Sequence, residues 1–149
     1  MSGQFSEYSL QVIKQNSNYK TTFLLSLLIV GLIMGLFIES SQPPLPLFEE
    51  VKGLDKAAHF LAFSVLGLLV CSLSFSLSPK PTIPLLSMPL LIVTLSGAIE
   101  EGYQIFIPGR SASLLDLLAD ICGAACAIIL ANRAAILMRD NNRIAKSIL

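Results

Sequence analysis

The sequence has little charge, no tryptophan and a single histidine. Of its 149 residues, 13% are charged and 54% are hydrophobic. Soluble domains carry about 25% charged residues, so this chain has too few polar side chains to cover a water-soluble globule. Its ten basic and ten acidic residues cancel, which argues against the basic excess that nucleic-acid binding requires. The composition predicts an integral membrane protein without a nucleic-acid partner.

Cysteine is also scarce and occurs in an odd number. Cys71, Cys122 and Cys126 all lie within apolar runs. No histidine and no second cysteine pair stands beside them in the sequence, which disfavours a thiolate metal site. We expect all three to behave as small buried hydrophobic residues. The sequence predicts no metal and no cofactor.

Four apolar runs are long enough, or nearly so, to cross a hydrocarbon core of about 30 Å. They are Thr21–Ile38, Ala57–Leu77, Ile83–Ile99 and Leu114–Met138. Because short connections join them, the predicted fold class is all-α, an integral membrane up-down bundle of four transmembrane helices. A cytoplasmic N-terminal lead over 1–20 and a basic cytoplasmic tail over 139–149 would flank a membrane domain over 21–138.

The first apolar run has two interpretations. A signal peptide would have an apolar core of about 7–15 residues and a small-residue cleavage site. Thr21–Ile38 is longer, and no Ala-x-Ala follows it, so we favour a retained anchor. Gly31 and Gly35 form a GxxxG pattern, which predicts close approach by a neighbouring helix.

Prolines predict where the helices stop. Three of them between residues 43 and 46 predict that the connector Glu39–Lys56 contains no helix. The Pro-Lys-Pro sequence at 79–81 predicts a tight turn, and Pro89 predicts a kink in the third span. Pro108 with Gly109 predicts a turn between the third and fourth helices.

Lysine and arginine are distributed unequally between the two ends of the predicted bundle. One end carries Lys14, Lys20, Lys80, Arg133, Arg139, Arg143 and Lys146, and the other carries Lys52, Lys56 and Arg110. Since cytoplasmic loops are enriched in these residues, both termini are predicted to be cytoplasmic. Both acidic loops then face outward.

Polar residues concentrate at this outward end. They are Asp55, Lys56, His59, Glu100, Glu101, Gln104, Arg110, Asp116 and Asp120. Ionisable groups near lipid are costly and commonly mark function, so these residues are predicted to form a polar pocket. His59 and Asp120 each lie about one helical turn inside the interface, on different helices, which predicts a contact between them.

A stripe of small residues should turn the fourth helix toward its neighbours. Ala119, Gly123, Ala127 and Ala131 recur every four residues, a pattern that suits tight helix packing. Asp116 and Asp120 lie beside this stripe and should therefore point into the bundle.

Several of these residues also have a structural interpretation. Asp55 can cap the second helix, and Asp116 with Ser113 matches a helix-start signal. Lys56 can be a solvated interfacial charge, and Arg110 can simply neutralise nearby acids. His59 can be a structural hydrogen-bonding residue.

The two adjacent glutamates are harder to explain structurally. Glu100 and Glu101 lie at the carboxyl end of the third helix, where the helix dipole disfavours negative charge. Arg110, Lys56, a protonated His59 or a bound cation must offset their repulsion with the aspartates. Gln104 follows Glu100 by one turn and shares its face.

Two segments resemble the VanZ-like family of bacterial membrane proteins. They are DKAAHFLAFSVLG at Asp55–Gly67 and EEGYQIFIPGRSASLLDLLADICG at Glu100–Gly123. Family members often have Asn where this chain has Asp120, and Tyr where it has Phe63. The family's polar signature falls on Asp55, Lys56, His59, Glu101, Gln104, Pro108, Gly109, Arg110, Ser111, Asp116 and Gly123. Ser111 thus joins the predicted pocket through the resemblance.

The resemblance implies a cell-envelope protein in the bacterial cytoplasmic (inner) membrane, because the founding member reduces susceptibility to teicoplanin. One hypothesis is a protein that binds a lipid-linked or amphiphilic envelope component, with Arg110 and Lys56 on phosphate and the acids on amines. Its partners would be membrane lipids, a lipid-linked precursor or an envelope protein. The alternative is a membrane enzyme acting on a lipid-linked precursor through His59 with Glu101 or Asp120 as acid–base groups or metal ligands. A transporter is disfavoured, because its polar groups should lie at the midplane.

Overall fold

A computed structural model of the chain describes residues 2–44, 46–78 and 82–148. Within these ranges the regular structure is entirely helical, which confirms the predicted all-α fold. The helices are α1 (Ser2–Ser40), α2 (Pro46–Glu50), α3 (Leu54–Leu77), α4 (Met88–Gln104) and α5 (Leu114–Ile148). The four long helices pack as a bundle, with α2 as a short connection between α1 and α3.

Three helices are long and apolar enough to cross a membrane. They contain the segments Asn18–Ser40, Leu54–Leu77 and Leu114–Ala145. The chain is therefore a multi-pass membrane protein. α4 has only 17 residues and reaches about 25 Å at 1.5 Å per residue. The predicted third span began at Ile83, but residues 82–87 are not helical and α4 begins only at Met88.

Two helices continue beyond the predicted spans. α1 begins at Ser2, so the predicted lead is part of the first helix, and α5 continues past Met138 to Ile148. Neither extension contains a proline, and helix-compatible residues continue across both junctions. The hydrophobicity of the sequence therefore predicts which part of each helix crosses the membrane, but it does not predict where the helix begins or ends.

Two predictions from proline are wrong. Pro46 begins the short helix α2 instead of excluding one, because the first helical position needs no backbone donor. Pro89 lies in the first turn of α4, after the N-cap residue Ser87, so it starts the helix and does not kink it. The predicted turn at 79–81 lies outside the described residues. The turn at Pro108 and Gly109 is present, with Gly109 at a φ of 84°.

Small residues bring α3 and α5 into close contact. A Cβ atom added to Gly123 would lie 2.5 Å from the carbonyl oxygen of Phe60, and one on Gly67 would lie 2.7 Å from Cβ of Ala127. The predicted packing stripe on α5 is confirmed at Gly123 and Ala127. The core around it contains Phe63, Leu66, Val70, Val93 and Ala124.

The GxxxG pattern of α1 does not perform this role within the described residues. Positions for a Cβ atom on Gly31 and Gly35 have no neighbouring atom within 4 Å. The predicted close approach is therefore not found among the described residues. Phe23, Leu27 and Met34 are also exposed on α1, as expected for side chains that face lipid.

The burial of the three cysteines differs according to the helix face on which each one lies. Cys71 is buried, Cys126 is half-buried and Cys122 is exposed. The prediction of burial is wrong for Cys122, because it stands one residue before Gly123 and is rotated about 100° from the packing stripe.

At the end of the bundle where α3 finishes, Asn132 of α5 forms two hydrogen bonds with the segment that leads into α4. The Asn132 amide donates to the Ile83 carbonyl at 2.8 Å, and the Ile83 N–H donates to Asn132 Oδ1 at 2.7 Å. Thr22 and Ser76 hydrogen-bond at the same end, at 2.8 Å. Sequence reasoning did not single out Asn132.

Candidate functional site

Four helix ends meet at the other end of the bundle. α1 and α4 finish there, and α3 and α5 begin there, so one short region receives polar side chains from all four. Ionisable or polar side chains are Glu39 and Ser40 from α1, Asp55, Lys56 and His59 from α3, Glu100, Glu101 and Gln104 from α4, and Asp116 and Asp120 from α5. Arg110 comes from the loop between α4 and α5.

The predicted contact between His59 and Asp120 is confirmed. Nδ1 of the His59 ring lies 3.0 Å from Asp120 Oδ1. Asp120 is fully buried, and the His59 side chain is 14% exposed. His59 also stacks on Phe63, with ring centroids 6.2 Å apart. His59 therefore lies between the buried Asp120 carboxylate and the exposed surface of the site.

Ser40 links two residues of α4 that share a face. Its hydroxyl donates to Glu100 Oε1 at 2.5 Å, and the Gln104 amide donates to the Ser40 oxygen at 3.3 Å. All three residues are buried. A short polar chain thus runs from the end of α1 into α4, and the expected common face of Glu100 and Gln104 is confirmed.

The start of α5 is capped by Ser113, and a glutamate of α4 supports this cap. The Asp116 N–H donates to Ser113 Oγ at 3.3 Å, while the Ser113 N–H donates to Glu101 Oε2 at 2.6 Å. Ser113 is therefore the cap that the sequence pattern indicated. A glutamate of α4, and not Asp116, completes it.

Asp116 is consequently available to a neighbouring cation. Lys56 Nζ lies 3.0 Å from Asp116 Oδ1 and 2.8 Å from Asp55 Oδ2. Gly53, with a φ of 85°, occupies the N-cap position of α3, so Asp55 is not the cap. It lies in the first turn, where the helix dipole favours negative charge.

Arg110 ties the loop after α4 back to the end of α1. Its guanidinium donates to the Glu39 carboxylate at 2.7 Å, to the Glu39 carbonyl at 3.0 Å and to the Gln42 carbonyl at 2.8 Å. Sequence reasoning named Arg110 but missed Glu39 and Ser40 as partners. Their position at the polar end of an apolar helix was the available signal.

Two adjacent cavities lie at this end of the bundle. One, of about 220 Å³, is mainly apolar and lies between α1, α3 and α4 beside Leu36, Ala58, Ala62 and Phe63. The other, of about 350 Å³, is polar and is lined by residues that include Lys56, Gln104, Ser111 and Asp116. Asp55, His59 and Arg110 border both cavities.

Comparison with known families agrees with this arrangement. A family model for VanZ/LLP1 proteins matches residues 4–138, which is most of the chain and includes every helix that contributes to the site. The chain belongs to the VanZ/LLP1 family. No curated protein and no solved structure matches it.

The site of this VanZ/LLP1 protein has an excess of buried negative charge. Glu100, Glu101, Asp116 and Asp120 are all buried. Lys56 lies against Asp116 and His59 lies against Asp120, which leaves two carboxylates without a cationic partner among the described residues. Buried charges are costly unless they are paired, so the site favours cationic groups.

Proposed function

We propose that this VanZ/LLP1 protein binds an amphiphilic envelope component through the two cavities. The observation that carries the proposal is their shared boundary at Asp55, His59 and Arg110. An amphiphile needs an apolar site for its tail beside a polar site for its headgroup. Here the mainly apolar cavity is lined by residues that include Leu36, Ala62 and Phe63, and the polar cavity by residues that include Lys56, Gln104 and Asp116.

The charges favour an amine in the headgroup. Four carboxylates line the two cavities, and three basic side chains accompany them. The guanidinium of Arg110 already serves Glu39 and two carbonyl oxygens, and Lys56 already lies between two carboxylates. These contacts leave little positive charge for a phosphate. An ammonium group entering beside Asp55 and Asp116 would gain charge-assisted hydrogen bonds.

Membership of the VanZ/LLP1 family supports a role in the cell envelope. We place the protein in the bacterial cytoplasmic membrane, with both termini in the cytoplasm and the polar cavity open to the outside. The lysine and arginine distribution supports this orientation. The ligand would then be a membrane lipid or a lipid-linked precursor, and an envelope protein is the other partner class.

The binding test compares lipids that differ only in the headgroup. Dihexanoyl phosphatidylethanolamine and dihexanoyl phosphatidylglycerol have equal tails, and glycerophosphoethanolamine has the amine without tails. Calorimetry on the purified protein should rank the phosphatidylethanolamine first. Equal binding of the two lipids would contradict a preference for amines.

A matched pair of variants tests the apolar cavity. Ala58 lines it, whereas its neighbour Ala57 is exposed on the outer face of α3. Ala58→Leu fills the cavity and should weaken binding of the dihexanoyl lipid, while Ala57→Leu should leave the binding unchanged. If both variants bind as the parent does, the tail does not occupy this cavity.

The contact between His59 and Asp120 favours a second function, a membrane enzyme that acts on a lipid-linked precursor. A carboxylate beside an imidazole suits a general acid or base. Mass spectra of a polyprenyl-linked lipid incubated with the protein separate the two functions. A new product that His59→Gln abolishes supports the enzyme, and an unchanged lipid supports binding alone.

A further inference from the structure

Three potential metal ligands come together from three different helices. One ligand atom each from His59 on α3, Glu101 on α4 and Asp120 on α5 lie within 4.8 Å of one another. Donor atoms bonded to one divalent ion at about 2.0–2.2 Å lie roughly 3–4 Å apart. The three ligand atoms therefore lie near, though not at, the spacing that a single ion requires.

Each carboxylate of this cluster has one oxygen atom that accepts no hydrogen bond from the described part of the protein. Glu101 Oε1 and Asp120 Oδ2 are buried and have no hydrogen-bond partner in the described part of the chain. Glu101 is 5% exposed and Asp120 is 0% exposed. A buried carboxylate oxygen without a donor is costly, so these two atoms indicate that a ligand of positive charge completes the cluster.

The charges and the donor atoms together favour a divalent transition metal. An imidazole that binds a metal is neutral, so Lys56 is the only cation within salt-bridge distance of the four buried carboxylates in the described part of the chain. Imidazole nitrogen together with carboxylate oxygen is a donor set that suits Zn²⁺, Mn²⁺ or Fe²⁺. An all-oxygen set, which Ca²⁺ and Mg²⁺ prefer, is not what this cluster offers.

We infer that His59, which borders the polar cavity, binds a divalent transition-metal ion together with the buried Glu101 and Asp120. The ion holds α3, α4 and α5 together at the end where their polar residues meet. The predicted fold and site included no metal, because the three ligands are distant in the chain and form no local ligand string, although the enzyme alternative named His59 with Glu101 or Asp120 as acid–base groups or metal ligands. This site does not depend on the amphiphile, and either one can be present without the other.

Direct binding of Zn²⁺ or Mn²⁺ tests the site. His59 is the only histidine of the chain, so protein labelled with ¹⁵N-histidine has a single imidazole to observe. Adding Zn²⁺ to chelator-treated protein should shift the imidazole ¹⁵N signals at one equivalent and raise the melting temperature. Mg²⁺ should do neither at the same concentration.

A pair of matched glutamate variants provides the control. Glu101→Gln keeps a carbonyl oxygen for the Ser113 N–H but loses the charge, whereas Glu50 is exposed in α2. Glu101→Gln should weaken Zn²⁺ binding by at least about 10–100-fold, the range for groups that only support a metal ligand. Glu50→Gln should bind as the parent does.

The metal-free proteins separate a ligand from a purely structural residue. Removing a repelling charge should make metal-free Glu101→Gln at least as stable as the metal-free parent, although the variant loses the rise in melting temperature caused by Zn²⁺. Unchanged imidazole signals on adding Zn²⁺ and Mn²⁺ to the parent would overturn the site. Equal binding by Glu101→Gln and Glu50→Gln would show an adventitious ion only. Neither result bears on the lipid comparison, which uses phosphatidylethanolamine without metal.

Discussion

Glu101 of α4 accepts a 2.6 Å hydrogen bond from the backbone N–H of Ser113, the residue that caps α5. In a capping box, the acid three residues after the cap would accept this bond. That acid is Asp116, which instead lies beside Lys56. The beginning of α5 is therefore fixed by α4, and a carboxylate of α5 is released to α3.

Removing the cap hydroxyl should destabilise the protein. Ser113→Ala removes the hydroxyl that accepts from the Asp116 N–H at 3.3 Å and leaves only the Ser113 carbonyl as its acceptor, and loss of such caps costs about 1 kcal/mol. Thermal unfolding in detergent, followed by circular dichroism, measures the difference. Ser111→Ala is the control, since Ser111 is exposed in the same loop, and it should change stability by less than about 0.5 kcal/mol. Equal losses for the two variants would mean that the cap adds nothing.

Gly123 is required for the contact between α3 and α5. In Gly123→Ala the new methyl group meets the Phe60 carbonyl oxygen at 2.5 Å and the Ser64 nitrogen at 3.0 Å. Since both atoms belong to a helix backbone that cannot yield locally, we expect a loss of about 1–3 kcal/mol or more.

Gly35→Ala is the matched control for that substitution. Its Cβ position has no neighbour within 4 Å, and alanine is favoured over glycine in a helix by roughly 0.5–1 kcal/mol. The control should therefore be neutral or stabilising by the same unfolding assay. A loss at Gly35 as large as at Gly123 would indicate that another helix contacts α1.

Gly97 makes room for the carboxylate of Asp120. A Cβ atom on Gly97 would lie 2.5 Å from Asp120 Oδ2, so Gly97→Ala should displace Asp120 from His59. The imidazole signals of the single histidine should shift in this variant. Gly102→Ala on the same helix has no neighbour within 4 Å and should leave the signals unchanged. Identical histidine spectra for parent and Gly97→Ala would contradict the predicted displacement.

Asn132 should be important for the entry of the chain into α4. Asn132→Ala leaves the N–H and carbonyl of Ile83 without their partner, and an unsatisfied buried polar group costs about 1–3 kcal/mol. Asn141→Ala changes an exposed residue of the same helix and should have little effect. The melting temperatures of the two variants compare them directly, and equal values would show that the two hydrogen bonds contribute nothing.

The fold was predictable where hydrophobicity and helix geometry act alone. Apolar runs located the membrane segments, and the depth of His59 and Asp120 within their helices predicted their contact. Helix ends were less predictable, because proline at the first turn of a helix reads the same in sequence as proline that stops one. Pro46 and Pro89 show this ambiguity.

The partners within the site were the least predictable part. Arg110 could be named from its loop, but its pairing with Glu39 depends on how the end of α1 lies against the loop after α4. The capping of Ser113 by Glu101 likewise depends on tertiary packing, since a sequence pattern can only nominate Asp116. Local patterns identify polar residues, and the arrangement of helix ends decides which of them meet.

The apolar cavity borders α1 at Leu36, between two places where α1 is fastened to the bundle. Thr22 bonds to Ser76 at one end, and Ser40 and Glu39 bond to Glu100 and Arg110 at the other. A lipid that binds as we propose would enter this cavity from the bilayer between the two places where α1 is fastened. Its headgroup would then remain at the level of the polar side chains and would not have to cross the hydrocarbon.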